Sequence, residues 1–386
     1  MNRLTLLMVC VLAGAGTLTA DEVLIGEVAS PDGKNVFKTY LTDALTLQYE
    51  VTRNGELVVG RSDLGFVTTA VDCSKSFINR EGYITAETKE IDETYVLPTG
   101  KQHVYRNHCN ELTMTLRRNT FRPQVVVRAY DDGVAFRYVL PNGGAVTVTD
   151  DVSNVVIPSF SRSFGQKYSG DYSQVYSGRD WAATQEVETG MFAAPLLVET
   201  SLGDDYYVLV TEAAVNEWFC GSPMVPSAEV KGRFDWRMEG NATATGVSST
   251  RPYKMPWRVL FIGSPQMLVE SVMIDNLNEP TKLKDLSWIK AGLSSWDWGG
   301  EEGGGLKNRT DWNVAREYID LAAEMGWRYF TLDEGWSSSK LGENGTTADY
   351  CKAITAYAEE KGVKCFIWRN QGNIQNDEGV IRATLQ

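Results

Sequence analysis

Residues 286–336 read LSWIKAGLSSWDWGGEEGGGLKNRTDWNVAREYIDLAAEMGWRYFTLDEGW, and their pattern decides the fold. An apolar, aromatic run from Ser287 to Trp298, with a first strand expected over 288–298, gives way to a loop rich in Gly and Glu. The next segment, Asp311 to Met325, places Trp312, Ala315, Ile319 and Ala322 on one helical stripe. Val314, Tyr318, Leu321 and Met325 broaden that stripe, and Gly326 stops it. Arg328 to Leu332 is a short apolar strand that runs into Asp333-Glu334-Gly335-Trp336. A second helix opens on the capping-box pattern Thr346-Thr347-Ala348-Asp349, buries Tyr350, Ile354 and Tyr357, and ends at Gly362. Val363 to Trp368 is then a third strand. Strand starts about 35 residues apart are the length of one βα unit, so the strands should be parallel. Side chains just past the carboxyl ends of such strands face the ligand crevice.

N-terminal to this stretch the pattern changes. From Asp21 to about Asn276, short runs alternate in polarity between turn residues, as in half-buried strands. Val125–Tyr130, the turn Asp131-Asp132-Gly133 and Val134–Leu140 form a hairpin. Gln266 to Met273 has helical character, and Asn276 to Pro280 ends it. The expected fold class is therefore multidomain β plus α/β: a large N-terminal β-sandwich followed by an incomplete (β/α)8 TIM barrel. The expected divisions are a signal peptide over 1–20, the sandwich over 21–280 and the start of the barrel over 281–386. A full barrel needs eight units and about 250 residues, and only about three units fit here, so the sequence reads as truncated within the barrel.

Length and composition support this division. A chain of 386 residues exceeds what one core organises. A net charge of −13 argues against nucleic acid or an anionic membrane as partner, and two His exclude a His-rich zinc site. Arg3, a short apolar stretch and small residues ending at Leu18-Thr19-Ala20 read as a secretory signal, and no later run is long enough to span a membrane. The expected location is periplasmic or secreted. Cys73, Cys109, Cys220, Cys351 and Cys365 make an odd set without CxxC spacing. A Cys73–Cys109 bridge is an option in an oxidising compartment, with buried free thiols expected for the rest. Asn241, Asn308 and Asn344 carry sequons that matter only on a eukaryotic secretory route.

Several residues could carry chemistry. Asp333 and Glu334 end a strand beside Trp336: either they form a polar turn, or at least one faces a ligand. Acid pairs hydrolyse glycosides, yet neighbours on a strand point opposite ways, so these two are not a catalytic couple. Trp296 and Trp298 share a face, as core filling or as the wall of a sugar site. Glu301-Glu302 belongs either to a solvated, flexible loop or to one that closes over a ligand. Arg137 reads as a paired structural charge. Glu212 follows a strand in an apolar setting and needs a partner, either a basic side chain or a metal.

At these residues the chain resembles glycoside hydrolase family 97. The resemblance is carried by Val104–Asn107 leading to Arg128–Tyr138, by Val210-Thr211-Glu212-Ala213-Ala214, by Trp288-Ile289-Lys290 to Trp296-Asp297-Trp298, and by Tyr318–Asp320 to Asp333–Trp336. It implies an exported, exo-acting α-glucosidase or α-galactosidase that binds an oligosaccharide and depends on calcium. It would make Glu212 a calcium ligand and place Trp296, Trp298, Asp333, Glu334 and Trp336 beside the substrate. Gly299-Gly300 stands where the family has a further Trp. The family's catalytic carboxylates come from later strands, so no catalytic residue is expected before Gln386. Two other readings are a non-catalytic carbohydrate-binding sandwich and a decayed gene product. Oligomeric state and sugar specificity stay open.

Overall fold

Tyr130 pairs with Gly133 across the turn, and Gln124–Tyr130 runs antiparallel to Gly133–Leu140. A Cβ at Gly133 would fall 2.3 Å from the Leu260 carbonyl oxygen, so close approach of the neighbouring strand demands glycine here. This hairpin sits near the middle of the largest sheet. The computed structural model describes residues 6–10, 22–78, 83–117, 121–141, 145–169, 175–180, 190–216, 219–238, 246–250, 252–296, 312–333, 335–338, 341–342 and 345–369. The chain forms two compact units, Met1–Lys284 and Asp285–Gln386.

In the first unit the hairpin belongs to an eleven-stranded sheet. Beside it lie Val104–Leu116 on one side and, on the other, Trp257–Gly263, Tyr207–Ala213 and Leu196–Thr200. A seven-stranded sheet includes Val23–Ala29, Asn35–Leu41, Leu47–Arg53 and Glu56–Leu64. The two sheets share one core, in which Phe37 stacks on Tyr49 at 4.9 Å and Phe136 leans on Tyr49 at 5.1 Å. That is a β-sandwich. The outer face of the large sheet carries a second cluster, including Trp257, Val259 and Phe261, under the helices Pro265–Glu270 and Met273–Leu277. Trp257–Gly263 is therefore buried at every position, covered on both faces.

Helical character near 266–273 resolves into these two short helices. Ser264 caps the first, and the Ser271 hydroxyl accepts the Met273 N–H at 3.1 Å, which restarts the chain as the second. Cys73 lies in the inner cluster and Cys109 in the outer one, and the Cys73–Cys109 bridge is not formed. Opposite faces of one sheet keep the thiols apart. Leu6–Cys10, within the expected signal segment, pairs with Tyr83–Val96 at the edge of the large sheet. Tyr83–Val96 carries Glu87, Lys89, Glu90, Asp92 and Glu93. Lys89, Glu90, Asp92 and Glu93 lie beyond the part paired with Leu6–Cys10, and such charges suit a strand edge left open there.

In the second unit Ser294–Trp296, Tyr329–Leu332 and Lys364–Ile367 form a parallel sheet, with Trp296 opposite Thr331 and Leu332 opposite Ile367. The helices Trp312–Glu324 and Thr347–Glu360 lie between them in sequence. Thr346 and Asp349 close the capping box: the Thr346 hydroxyl accepts the Asp349 N–H at 3.2 Å, and Asp349 accepts the Thr346 N–H at 2.9 Å. Ala315, Ile319, Ala322, Tyr350, Ile354 and Ala358 pack with Phe330, Leu332, Trp336 and Val363. No helix among the described residues is long and apolar enough to cross a membrane.

Candidate functional site

The carboxyl ends of the three parallel strands bring Trp296, Asp333 and Trp368 to one end of the second unit. Ser295 points to the helices and donates its hydroxyl to the Tyr318 carbonyl at 2.9 Å. Alternation then turns Ser294 and Trp296 to the opposite face, where Ser294 meets the Thr331 hydroxyl at 2.9 Å and Tyr329 packs on Phe366 at 4.8 Å. Trp296 is 41% exposed, leaving a half-open indole face. Asp333 is buried. Trp336 is buried too; its indole N–H donates to the Trp368 carbonyl at 2.9 Å, and the Arg369 guanidinium lies 5.3 Å from its ring. Trp336 thus ties the loop after the second strand to the end of the third. Trp298 and Glu334 lie outside the described residues, as do Glu301-Glu302 and the three sequons.

Glu212 lies in the first unit, in register with Arg258 across the strand pair Tyr207–Ala213 and Trp257–Gly263. Arg258 donates through Nη1 to Glu212 at 2.5 Å and through Nη2 to Asp151 at 2.6 Å. The other Glu212 oxygen accepts the Ser222 N–H at 2.8 Å. Of the two partners left open by the sequence, the basic side chain is present. Burial pushes the Glu212 carboxyl above its ordinary value of 4.5, against the pull of Arg258 and Ser222. Burial also works against the Arg258 cation, but Asp151 and Glu212 outweigh it and hold Arg258 charged.

A raised folded-state value means that Glu212 favours folding below about pH 4.5 and loses that contribution as pH rises through its shifted value. Glu212→Gln should therefore remove a fall in stability on that interval. The difference in urea unfolding free energy between native chain and variant, followed from pH 4 to pH 8, checks this. A pH-independent difference would count against it.

Calcium takes six to eight oxygen ligands. No group of three or more His, Cys, Asp or Glu able to hold a metal occurs among the described residues. Both Glu212 oxygens already face Arg258 and Ser222. These residues by themselves do not fit calcium.

Arg137 departs from the paired charge expected of it. Among the described residues it makes no ion pair, and its guanidinium lies 4.2 Å from the Trp257 ring centroid. Its neighbour Arg128 is the paired one, donating to Glu111 at 2.8 Å. Both arginines lie over Trp257 on the outer face of the sheet, and local sequence does not tell which of them has the acid.

The model for the glycosyl-hydrolase 97 N-terminal domain matches residues 28–280. The chain belongs to glycoside hydrolase family 97. Among curated relatives of this family 97 chain, a protein of Streptomyces bingchenggensis named "Probable retaining alpha-galactosidase" is 29% identical over 87% of this chain and 51% of its own length. The "Retaining alpha-galactosidase" of Bacteroides thetaiotaomicron is 26% identical over 99% of this chain and 61% of its own length. The chain thus spans little more than half the length of these curated relatives. A solved beta-arabinopyranosidase is similar over 91% of this chain and 56% of its own, with TM-score 0.76 at 22% identity. A family 97 enzyme from Pseudoalteromonas sp. strain K8, solved with acarbose, is similar over 88% and 53%, with TM-score 0.71 at 23% identity. These two likenesses are of fold.

Proposed function

We propose that this chain is the N-terminal part of an exported, exo-acting α-glycosidase whose second unit begins a (β/α)8 barrel. The observation that carries the reading is the open inner face of the parallel sheet. Phe366 is 52% exposed and Trp296 41% exposed there, whereas parallel sheets are ordinarily covered on both faces. Further strands and helices would close that face and turn its strand ends into a pocket. The names of both curated relatives favour a terminal α-galactoside over an α-glucoside, and a retaining course.

In this reading Trp296 offers an apolar wall to a sugar ring, and Trp298 and Glu334, outside the described residues, are proposed as further substrate contacts. Asp333, buried at the strand end, is proposed to accept a sugar hydroxyl. Trp336 fixes the loop that carries Asp333. One carboxyl group would protonate the leaving oxygen while a second attacks the anomeric carbon, the two about 5–5.5 Å apart in retaining enzymes. Both are proposed to lie beyond Gln386. Calcium, implied by the resemblance, is proposed for the longer chain only; Glu212 would join its ligands by giving up its contact to Arg258 or to Ser222, with the other oxygens coming from outside the described residues. Export through a signal peptide ending at Ala20 belongs to the same proposal.

The test is hydrolysis of an aryl α-galactoside. The 386-residue chain is expected to release no aglycone, and a chain extended through its genomic continuation is expected to do so. Turnover by the 386-residue chain itself would sink the assignment of the catalytic pair. A continuation that remains inactive while the sandwich binds sugar would favour a carbohydrate-binding role.

A further inference from the structure

A cavity of about 680 Å³ lies within the first unit, on the outer face of the large sheet, and includes Arg137, Asn216, Lys254, Glu279 and Lys282 in its lining. Three cations and one carboxylate line it, on a chain whose net charge is −13. Lys254 donates to Glu279 at 2.6 Å, which cancels one pair. Arg137 and Lys282 form no ion pair among the described residues.

Arg137 is the deepest of these groups, 8% exposed, and its Nε has no acceptor. The indole Nε1 of Trp257, the ring that Arg137 stacks on, is buried without an acceptor as well. Unmet donors on a buried charged group are costly, and a guanidinium fork matches the paired oxygens of an oxyanion. Burial, then the nearby Arg128 cation, push Arg137 down to about 10, so it keeps its charge at neutral pH.

We propose that this cavity binds a small oxyanion (a carboxylate, phosphate or sulfate) on Arg137, with Lys254, Lys282 and Asn216 as its other partners. The charged group of an acidic sugar and a free inorganic anion share this chemistry. Glu279 opposes the ligand and competes for Lys254, so it sets the affinity from below. The proposal does not rest on the hydrolase reading.

Isothermal titration of the 386-residue chain with galacturonate, inorganic phosphate, inorganic sulfate and neutral galactose tests it. At least one oxyanion should bind with one-to-one stoichiometry, and galactose should not bind at this site. Arg137→Met should weaken binding by about tenfold or more, the scale of one lost charged hydrogen bond. Glu279→Gln should tighten it, which a merely structural role for the cluster would not produce. Binding of galacturonate alone assigns an acidic sugar; equal binding of phosphate or sulfate assigns a simple anion. Should Arg137→Met fail to fold, the Lys254→Met/Lys282→Met pair reads the same loss. No heat with any of the three oxyanions, or affinity unchanged in the folded variants, overturns the proposal.

Discussion

Arg258→Met is expected to lower the unfolding free energy of the first unit by about 3–5 kcal/mol, the cost of leaving buried charge without its partner. Arg258 is 2% exposed and meets two carboxylates that are nearly as deep, Asp151 and Glu212. Its Nε and Nη2 reach Asp151 at 2.9 and 2.6 Å, its Nη1 reaches Glu212, and Ser222 accepts from Nη2 at 3.1 Å. The guanidinium also covers the Trp236 ring at 4.4 Å. Methionine keeps much of that packing but strands two acids in a core that cannot solvate them. The damage should therefore come from the acids and not from lost volume. Adding Asp151→Asn and Glu212→Gln to Arg258→Met should recover a large part of the loss, because the triad is stabilising mainly relative to a broken triad. Urea unfolding of native, single and triple variants measures this. A single variant within about 0.5 kcal/mol of native, the range of a surface substitution, would show that the triad is not under charge stress.

The triad also shows where sequence reading reaches its limit. That Glu212 needs a partner follows from its apolar neighbours, but Arg258 is 46 residues away and is fixed only by strand register. The same holds for Arg137 and Arg128, which look alike in sequence. Only the position of Glu111 on the neighbouring strand separates the paired arginine from the unpaired one. Local signals fared better. The capping box at Thr346 and the glycine stop at Gly362 bracket the helix Thr347–Glu360, and the apolar stripe from Trp312 marks the helix Trp312–Glu324. Strand ends shifted by about one residue, to Tyr329–Leu332 and Lys364–Ile367, because apolar pattern does not mark where the ladder pairing stops. The strand expected over 288–298 is observed as Ser294–Trp296, since Lys290 to Leu293 leave the ladder. At the candidate site the placement of Trp296 and Asp333 at strand ends was legible from periodicity. The indole bond from Trp336 to Trp368 was not, because it joins two loops 32 residues apart.

Phe330→Ala should unfold the second unit while leaving the first intact. Phe330 lies at the centre of a cluster of ten buried residues, between the two helices and the parallel sheet. Truncating a buried phenylalanine costs about 3–5 kcal/mol through lost transfer energy and an unfilled cavity. A core of that size supplies little margin, because small units bury a smaller fraction of their surface. The inner face adds little here, with Trp296 and Phe366 about half open to solvent. The first unit has its own, much larger clusters and does not draw on Phe330. In a thermal melt the variant should lose one transition and keep the other. Thermolysin should then cleave the variant C-terminal to Lys284 under conditions where residues 22–284 survive as a resistant fragment. If Phe330→Ala resists digestion as well as the native chain does, the buried cluster is not what holds the second unit together.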